Sequence, residues 1–359
     1  MKKIVLTGGG TAGHVTPNIA LLPALQAAGY EIAYVGSYEG IEKKLIADFN
    51  IPYTGISTGK FRRYLDPKNF SDPFRVMKGF VEARNYLKNY QPDVVFSKGG
   101  FVSVPVVRAA ASLHIPCIIH ESDMTPGLAN KLCIPVAEKV CCNFPETMKN
   151  IPADKAVLTG SPIRAELAQG SRLAGLNMCG FTANKPVIMV IGGSLGAANV
   201  NKAVRDALPK LLEDFQVVHL CGKDKIDNLL LNTPGYKQFE YIKAELKDIF
   251  AMADVVISRA GANAICELLA LKKPNILIPR PAASSRGDQL LNAASFEAQG
   301  YSIVLNEDDI TTNLLVDKVH ELYFNRQNYV EAMSRSHQMD AINTIMLLIN
   351  EAANKSHTQ

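Results

Sequence analysis

The chain has no tryptophan, no C-x-x-C pair among its seven cysteines and no D-x-D pair anywhere in 359 residues. It has no Walker A motif either, because Gly59-Lys60 runs on into Phe61 with no hydroxyl after the lysine. Each absence removes a class of chemistry. Without C-x-x-C, a thioredoxin-like or zinc-ribbon reading has no support, and the odd, scattered Cys117, Cys133, Cys141, Cys142, Cys179, Cys221 and Cys266 read as buried thiols in a reducing compartment. Without D-x-D, a diphosphate held through protein-ligated Mg²⁺ is disfavoured, so amides, hydroxyls and arginine must carry its charge. A net charge of +4 is too small to argue for nucleic acid. No apolar run approaches the roughly 20 residues that span a bilayer. Lys2-Lys3 imitates a signal-peptide start, but glycines end the apolar stretch after a few residues.

What the chain does have is a repeated rhythm. A hydrophobic fraction of 47% over 359 residues predicts a globular protein of two domains. Apolar strand-like runs alternate with amphipathic helical stretches, which predicts α/β architecture with parallel sheets covered by helices on both faces. First-half strands are expected at 3–7, 31–35, 53–57, 93–97, 116–120 and 139–143. Second-half strands are expected at 187–191, 216–220, 239–242, 254–258, 275–278 and 302–305. The turn-forming group Gly160-Ser161-Pro162-Ile163-Arg164 sets the boundary, giving domains 1–163 and 164–340. The helical tail 341–359 is expected to pack back on the first domain.

Two strands run directly into clustered glycines and then a helix: Lys3 to Thr7 into Gly8-Gly9-Gly10-Thr11-Ala12-Gly13-His14, and Val187 to Ile191 into Gly192-Gly193-Ser194-Leu195-Gly196-Ala197. Gly99-Gly100 is a third such site. Free N–H groups and the dipole of the following helix make these anion cradles, and their duplication predicts two like halves facing a cleft that binds phosphorylated ligands. Gly8 to Gly13 satisfies G-x-G-x-x-G literally, so an NAD-dependent oxidoreductase is a rival reading; its ribose-binding acid would have to be Glu39, a poor fit. His14 closes the first loop, where an ordinary imidazole pKa would suit a general base. Arg164 at the boundary can fork onto phosphate, and Glu267, one turn into a helix, can accept ribose hydroxyls. The polar stretch Arg280 to Gln289 follows a strand, where α/β ligand sites concentrate. Farther upstream, Phe74, Met77 and Phe80 recur at a spacing of three beside Arg75 and Lys78, after Arg62 and Arg63. The pattern reads either as an interfacial helix or as an amphipathic helix on its own sheet.

Taken in order, the first glycine loop, Lys98-Gly99-Gly100-Phe101-Val102-Ser103, His120-Glu121, Gly160 to Arg164, Gly192 to Ala197, Ser258-Arg259-Ala260-Gly261-Ala262 and Asp288-Gln289 resemble the bacterial peptidoglycan N-acetylglucosaminyltransferases of glycosyltransferase family 28. The resemblance spans nearly the whole chain. It implies a GT-B fold of two Rossmann-like domains and inverting transfer of N-acetylglucosamine from UDP-N-acetylglucosamine to the C4 hydroxyl of a lipid-linked N-acetylmuramoyl pentapeptide, lipid I becoming lipid II, with no cofactor and no bound metal. It implies Thr11, Ala12 and Gly13 at the donor sugar and acceptor face of the cleft; His14, which closes the same loop, is assigned here as the base. Arg164, Ser194 and Gln289 would contact the nucleotide-sugar and Ile242 the uracil. The segment Ala262, Asn263, Ala264, Ile265, Cys266 and Glu267 would hold the diphosphate and ribose. Two positions depart from the family pattern: Ala12 stands where glycine is frequent, and Asp123 where many relatives have asparagine, so Asp123 cannot donate an amide hydrogen bond to sugar. The implied partners are the anionic cytoplasmic leaflet, met by the 62–80 region from the membrane's cytoplasmic face, and other cell-wall synthesis proteins. A non-catalytic sugar-nucleotide sensor and a related GT-B glycolipid synthase or epimerase stand as alternatives.

Overall fold

The computed structural model describes residues 1–59, 72–193, 196–282 and 287–356. Two compact units emerge, one formed by Met1–Arg164 with Asp340–Gln359, the other by Ala165–Met339.

In the first unit β1 (Lys3–Thr7) leads to α1 (Thr16–Ala27), β2 (Glu31–Ser37), α2 (Ile41–Ile46), β3 (Tyr53–Ile56) and the long α3 (Asp72–Tyr90). There follow β4 (Val94–Ser97), α4 (Ser103–Ser112), β5 (Cys117–Glu121), α5 (Leu128–Cys133), β6 (Lys139–Cys142), α6 (Pro145–Met148) and β7 (Ala156–Leu158). All pairings are parallel, in the order β3-β2-β1-β4-β5-β6-β7. Strands that are apolar on both faces need cover on both. Val5, Val35, Val95 and Ile119 face one layer with Ala83, Leu87, Val106 and Val107 of α3 and α4. Their neighbours Ile4, Leu6, Ile32, Phe96 and Ile118 face the other, with Leu21 and Leu25 of α1.

The second unit repeats the plan with α7 (Arg172–Cys179), β8 (Val187–Ile191), α8 (Ala198–Asp214), β9 (Gln216–Leu220), β10 (Tyr236–Phe239), α9 (Leu246–Met252), β11 (Val255–Ser258) and α10 (Ala262–Ala270). It continues through β12 (Asn275–Leu277), α11 (Asp288–Ala298), β13 (Ser302–Val304), α12 (Thr312–Phe324) and α13 (Arg326–Ser334). Its parallel order is β10-β9-β8-β11-β12-β13. One core layer joins Ile188, Val190, Val217 and Ile257 to Val204 and Leu211 of α8 and Val319 and Leu322 of α12.

The closing helix α14 (Ala341–Ser356) belongs to the first unit, where Ile345, Ile349, Ala352 and Ala353 join the core layer of α1. Asn350 accepts the Tyr30 hydroxyl at 2.7 Å, and Asn354 accepts Lys2 Nζ at 2.6 Å. Two strand expectations need correction. β10 lies at Tyr236–Phe239 instead of 239–242, because Tyr236 and Gln238 are the side chains that turn inward. The short β7 had no expected counterpart, since three half-buried residues give too little pattern to read. All seven cysteines are free and buried; Cys133, Cys179 and Cys266 lie in helices.

Candidate functional site

In each unit the glycine loop follows the strand around which the sheet order reverses, β1 and β8, where doubly wound sheets bind ligands. The first loop is built from β1 outward. Gly8 adopts φ +152° and Gly10 φ +84°, the latter a left-handed turn that favours glycine. The Gly8 carbonyl accepts the Tyr34 hydroxyl at 2.7 Å, and Asn18 of α1 donates to the Thr7 carbonyl at 3.0 Å. Thr11 is extended, and Ala12 to His14 form a single 3₁₀ turn before α1. Ala12 is not among the residues with positive φ, so alanine is unstrained there. Thr11 and Ala12 are exposed, Gly13 and His14 half-buried.

His14 is oriented by its own loop. Its Nδ1 lies 3.2 Å from the Gly9 carbonyl and 3.0 Å from Thr11 Oγ1. A carbonyl only accepts, so Nδ1 carries the proton and Nε2 presents its lone pair. Burial, and then the charge of Lys98, push the imidazole down to about 4, against the opposing influence of the Gly9 bond and Glu42. The expectation of an ordinary imidazole is thereby corrected. At neutral pH the ring is uncharged, always able to accept a proton, but a weaker base than free histidine.

Three charged or titratable groups beneath this loop carried no role in the sequence reading. Glu42 of α2 is fully buried and accepts the Gly10 N–H at 3.1 Å. Lys98, at the end of β4, is buried and donates to Ser122 Oγ at 2.5 Å and to His120 Nδ1 at 2.8 Å. His120 in turn donates from Nε2 to the Gly160 carbonyl at 2.9 Å, and burial holds it neutral, well below the ordinary histidine value. Glycines at 36 and 40, both just ahead of Glu42 in the chain, were the available signal.

Asp123 follows β5. Its backbone N–H donates to Glu121 Oε1 at 2.9 Å, and its carbonyl accepts Thr147 Oγ1 at 3.1 Å. Arg164 is half-buried at the end of the first unit's main segment.

In the second unit Gly193 (φ +87°) and Gly196 (φ +67°) shape the loop before α8. A Cβ on Gly196 would collide with the Cys221 carbonyl, so only glycine passes there. Ser194 lies outside the described residues, as do Arg62 and Arg63. Ala262, Asn263, Ala264, Ile265, Cys266 and Glu267 form the opening turns of α10, capped by Gly261 in extended conformation, so the first N–H groups of a nine-residue helix point away from its end. Ile265 and Cys266 face inward; Asn263 and Glu267 are half-buried. Ile242 is buried just beyond β10. Gln289 stands in the first turn of α11, its Oε1 accepting the Arg280 N–H at 3.0 Å.

On α3, Phe74 is 79% exposed and Met77 64%, with Arg75 exposed beside them. Lys78 pairs with Glu82 at 3.7 Å. Phe80 departs from the expected face. It packs against the first unit's core, and Val81, half exposed, continues the outer ridge. A spacing of three drifts around a 3.6-residue helix, which carries the third position inward. No described helix is long and apolar enough to cross a membrane, and no described cluster of three histidine, cysteine or acidic side chains could hold a metal ion.

Comparison with known proteins decides the family. The glycosyltransferase family 28 N-terminal domain matches residues 4–142, and its C-terminal domain residues 187–346. The UDP-N-acetylglucosamine--N-acetylmuramyl-(pentapeptide) pyrophosphoryl-undecaprenol N-acetylglucosamine transferase of Lachnospira eligens is 64% identical over 98% of this chain and 99% of its own. The chain belongs to glycosyltransferase family 28. The transferase of the same name from Clostridium botulinum is 56% identical over the same share of both chains. Among solved structures, Acinetobacter baumannii MurG aligns with a TM-score of 0.77 at 28% identity, over 98% of this chain and all of that one. The UDP-GlcNAc 2-epimerase of Methanocaldococcus jannaschii aligns with a TM-score of 0.68 at 14% identity, over 97% of this chain and 99% of that one, a likeness of fold alone. Family 28 membership and the two parallel-sheet units together give the GT-B fold.

Proposed function

We propose that the chain transfers N-acetylglucosamine from UDP-N-acetylglucosamine to the C4 hydroxyl of N-acetylmuramoyl-(pentapeptide)-diphospho-undecaprenol, with inversion at the anomeric carbon. The observation that carries this reading is 64% identity, over nearly the whole of both chains, to a transferase named for that donor and acceptor. The second unit takes the donor. The amide groups opening α10, with Ser194, offset charge growing on the leaving diphosphate; Glu267 meets the ribose, Ile242 the uracil, and Gln289 the nucleotide-sugar. The first unit takes the acceptor along Thr11, Ala12 and Gly13. His14 removes the hydroxyl proton through the Nε2 lone pair that its loop leaves open. Asp123 can meet the sugar as a hydrogen-bond acceptor only.

A lipid-linked acceptor stays in its bilayer, so the enzyme must come to it. Phe74, Met77 and Val81 form the apolar ridge for that contact, and Arg62, Arg63, Arg75 and Lys78 meet the anionic cytoplasmic leaflet, with other cell-wall synthesis proteins as neighbours there. Charge reversal at the four basic positions should abolish sedimentation with anionic vesicles, and unchanged sedimentation would remove the leaflet from the reading.

Turnover tests the reaction itself. The protein should consume UDP-N-acetylglucosamine only when a lipid I analogue is present, and calorimetry should show no heat with NAD. Binding of UDP-N-acetylglucosamine without turnover would leave a sensor, and epimerisation of the donor alone would make it an epimerase.

A further inference from the structure

We propose that Glu42 is a positioning residue for His14: its carboxylate latches the first glycine loop from below and opposes the positive charge His14 acquires with the acceptor proton. The proposal rests on the transfer reaction and on His14 as its base.

The latch is geometric. Glu42 is fully buried, yet each of its oxygens is used. Oε2 accepts the Gly10 N–H at 3.1 Å; Oε1 accepts the Ser37 N–H at 2.9 Å and the Ser37 hydroxyl at 2.5 Å. Tyr53 donates its hydroxyl to the Ser37 carbonyl at 2.5 Å, fixing the turn from the far side. Three glycines from separate segments make the room: a Cβ on Gly9, Gly36 or Gly40 would come within 3.0 Å of the Glu42 side chain. Burying a carboxylate is costly unless it is fully hydrogen-bonded, so a cradle cut to this shape needs a reason.

The reason lies two bonds along the loop. Gly10, held by Glu42, follows Gly9, whose carbonyl sets the His14 tautomer. As the acceptor oxygen bonds to the sugar's C1, the C1–O bond to the diphosphate breaks and its electron pair leaves on UDP. The hydroxyl proton passes to His14 Nε2, and the ring becomes a cation. The charged groups that act on that ring are Lys98, from the end of β4, which disfavours the cation, and Glu42, from α2, which favours it. Thr11 Oγ1 and the Gly9 carbonyl are its neutral contacts. Tyr34 and Tyr53, which also feel Glu42, have hydroxyls raised by burial and stay neutral. Glu42 is thus the counterweight to Lys98.

The test compares Glu42→Gln and Glu42→Asp in the full chain. Glutamine keeps the size but loses the charge and one acceptor oxygen. We expect Glu42→Gln to bind UDP as the wild type does and to keep KM for UDP-N-acetylglucosamine within about twofold, while kcat falls on the order of tenfold. The acid limb of kcat should move to lower pH, since removing a negative neighbour makes the imidazolium harder to form. Hydrogen exchange at the Gly10 or Ser37 amide should quicken about tenfold, with the glycine loop of the second unit unchanged. Glu42→Asp keeps the charge and should restore the acid limb and part of kcat. Wild-type kcat and exchange in Glu42→Gln would overturn the assignment, as would equal losses in both variants with an unmoved acid limb. A wild type inert toward donor and lipid I analogue together would instead overturn the reaction on which the proposal rests.

Discussion

The two glycine loops are built on one scaffold and differ in charge. In each unit an asparagine of the following helix is buried against the neighbouring strand: Asn18 of α1 reaches Tyr34 of β2 at 3.2 Å, and Asn201 of α8 reaches His219 of β9 at 3.0 Å. The partners occupy like registers, Tyr34 opposite Leu6 and His219 opposite Val190. Beneath the first loop lie Glu42 and Lys98, both buried; among the described residues, the buried lysine and the buried acids all belong to the first unit. In the second unit His219 also shares a hydrogen bond with the Tyr236 hydroxyl at 2.9 Å and Asn201 donates to the Cys221 carbonyl at 2.9 Å, and the charges nearby are cations: half-buried Arg205 reaches Cys221 Sγ at 3.4 Å, and Lys225 Nζ donates to the Gly196 carbonyl at 3.3 Å. A loop that only holds an anion is served by amides with cations near them. One that moves a proton needs charges to set the energy of the protonated state. Same backbone, different work.

The sharpest way to break this comparison is His14→Ala. It should lower kcat by about 10²–10⁴ and leave UDP affinity unchanged by calorimetry. Near-normal turnover would strip the first loop of its proton-moving role. Next in size, Ile349→Ala empties a fully buried site of α14 and should cost about 2–5 kcal/mol in urea unfolding of the first unit. UDP binding by the second unit should survive it, and parallel loss of both would show the units to be one folding block. Gly196→Ala forces a side chain onto φ +67° against the Cys221 carbonyl. The strain of about 1–3 kcal/mol should weaken UDP binding roughly tenfold while kcat at saturating donor changes little.

The remaining contrast is with pH. His14 and His120 in the first unit and His219 in the second are all held below the ordinary histidine value by burial, His219 down to about 3. The unfolded chain takes up these protons below about 6.5 and the folded chain does not. Stability is therefore complete above that pH and drains as pH falls toward 4, by up to about 1.4 kcal/mol per group per unit. With two such histidines against one, the first unit should loosen first, as hydrogen exchange at pH 7 and pH 5 would register. Equal loosening would erase the distinction.

Much of this was legible in the sequence because parallel strands buried on both faces read as unbroken apolar runs. β1, β8 and β9 fall where they were expected. The short β7 and the shifted β10 did not show, since edge strands bury too little to leave a pattern. The loop glycines and His14 announced themselves by type and spacing. Glu42 and Lys98 did not, because a buried charge looks like a surface one until the fold closes over it. The ridge on α3 was half right for the same reason: spacing finds a face, but the neighbouring helix α4 and the sheet decide that Phe80 turns in and Val81 turns out.

The division of labour between the loops is tested most directly by a crystal soaked with UDP. The nucleotide should lie in the second unit, its diphosphate on the opening amides of α10 and its ribose at Glu267, with the first loop unchanged. UDP seated against Gly8 to Gly13, with α10 bare, would contradict the account.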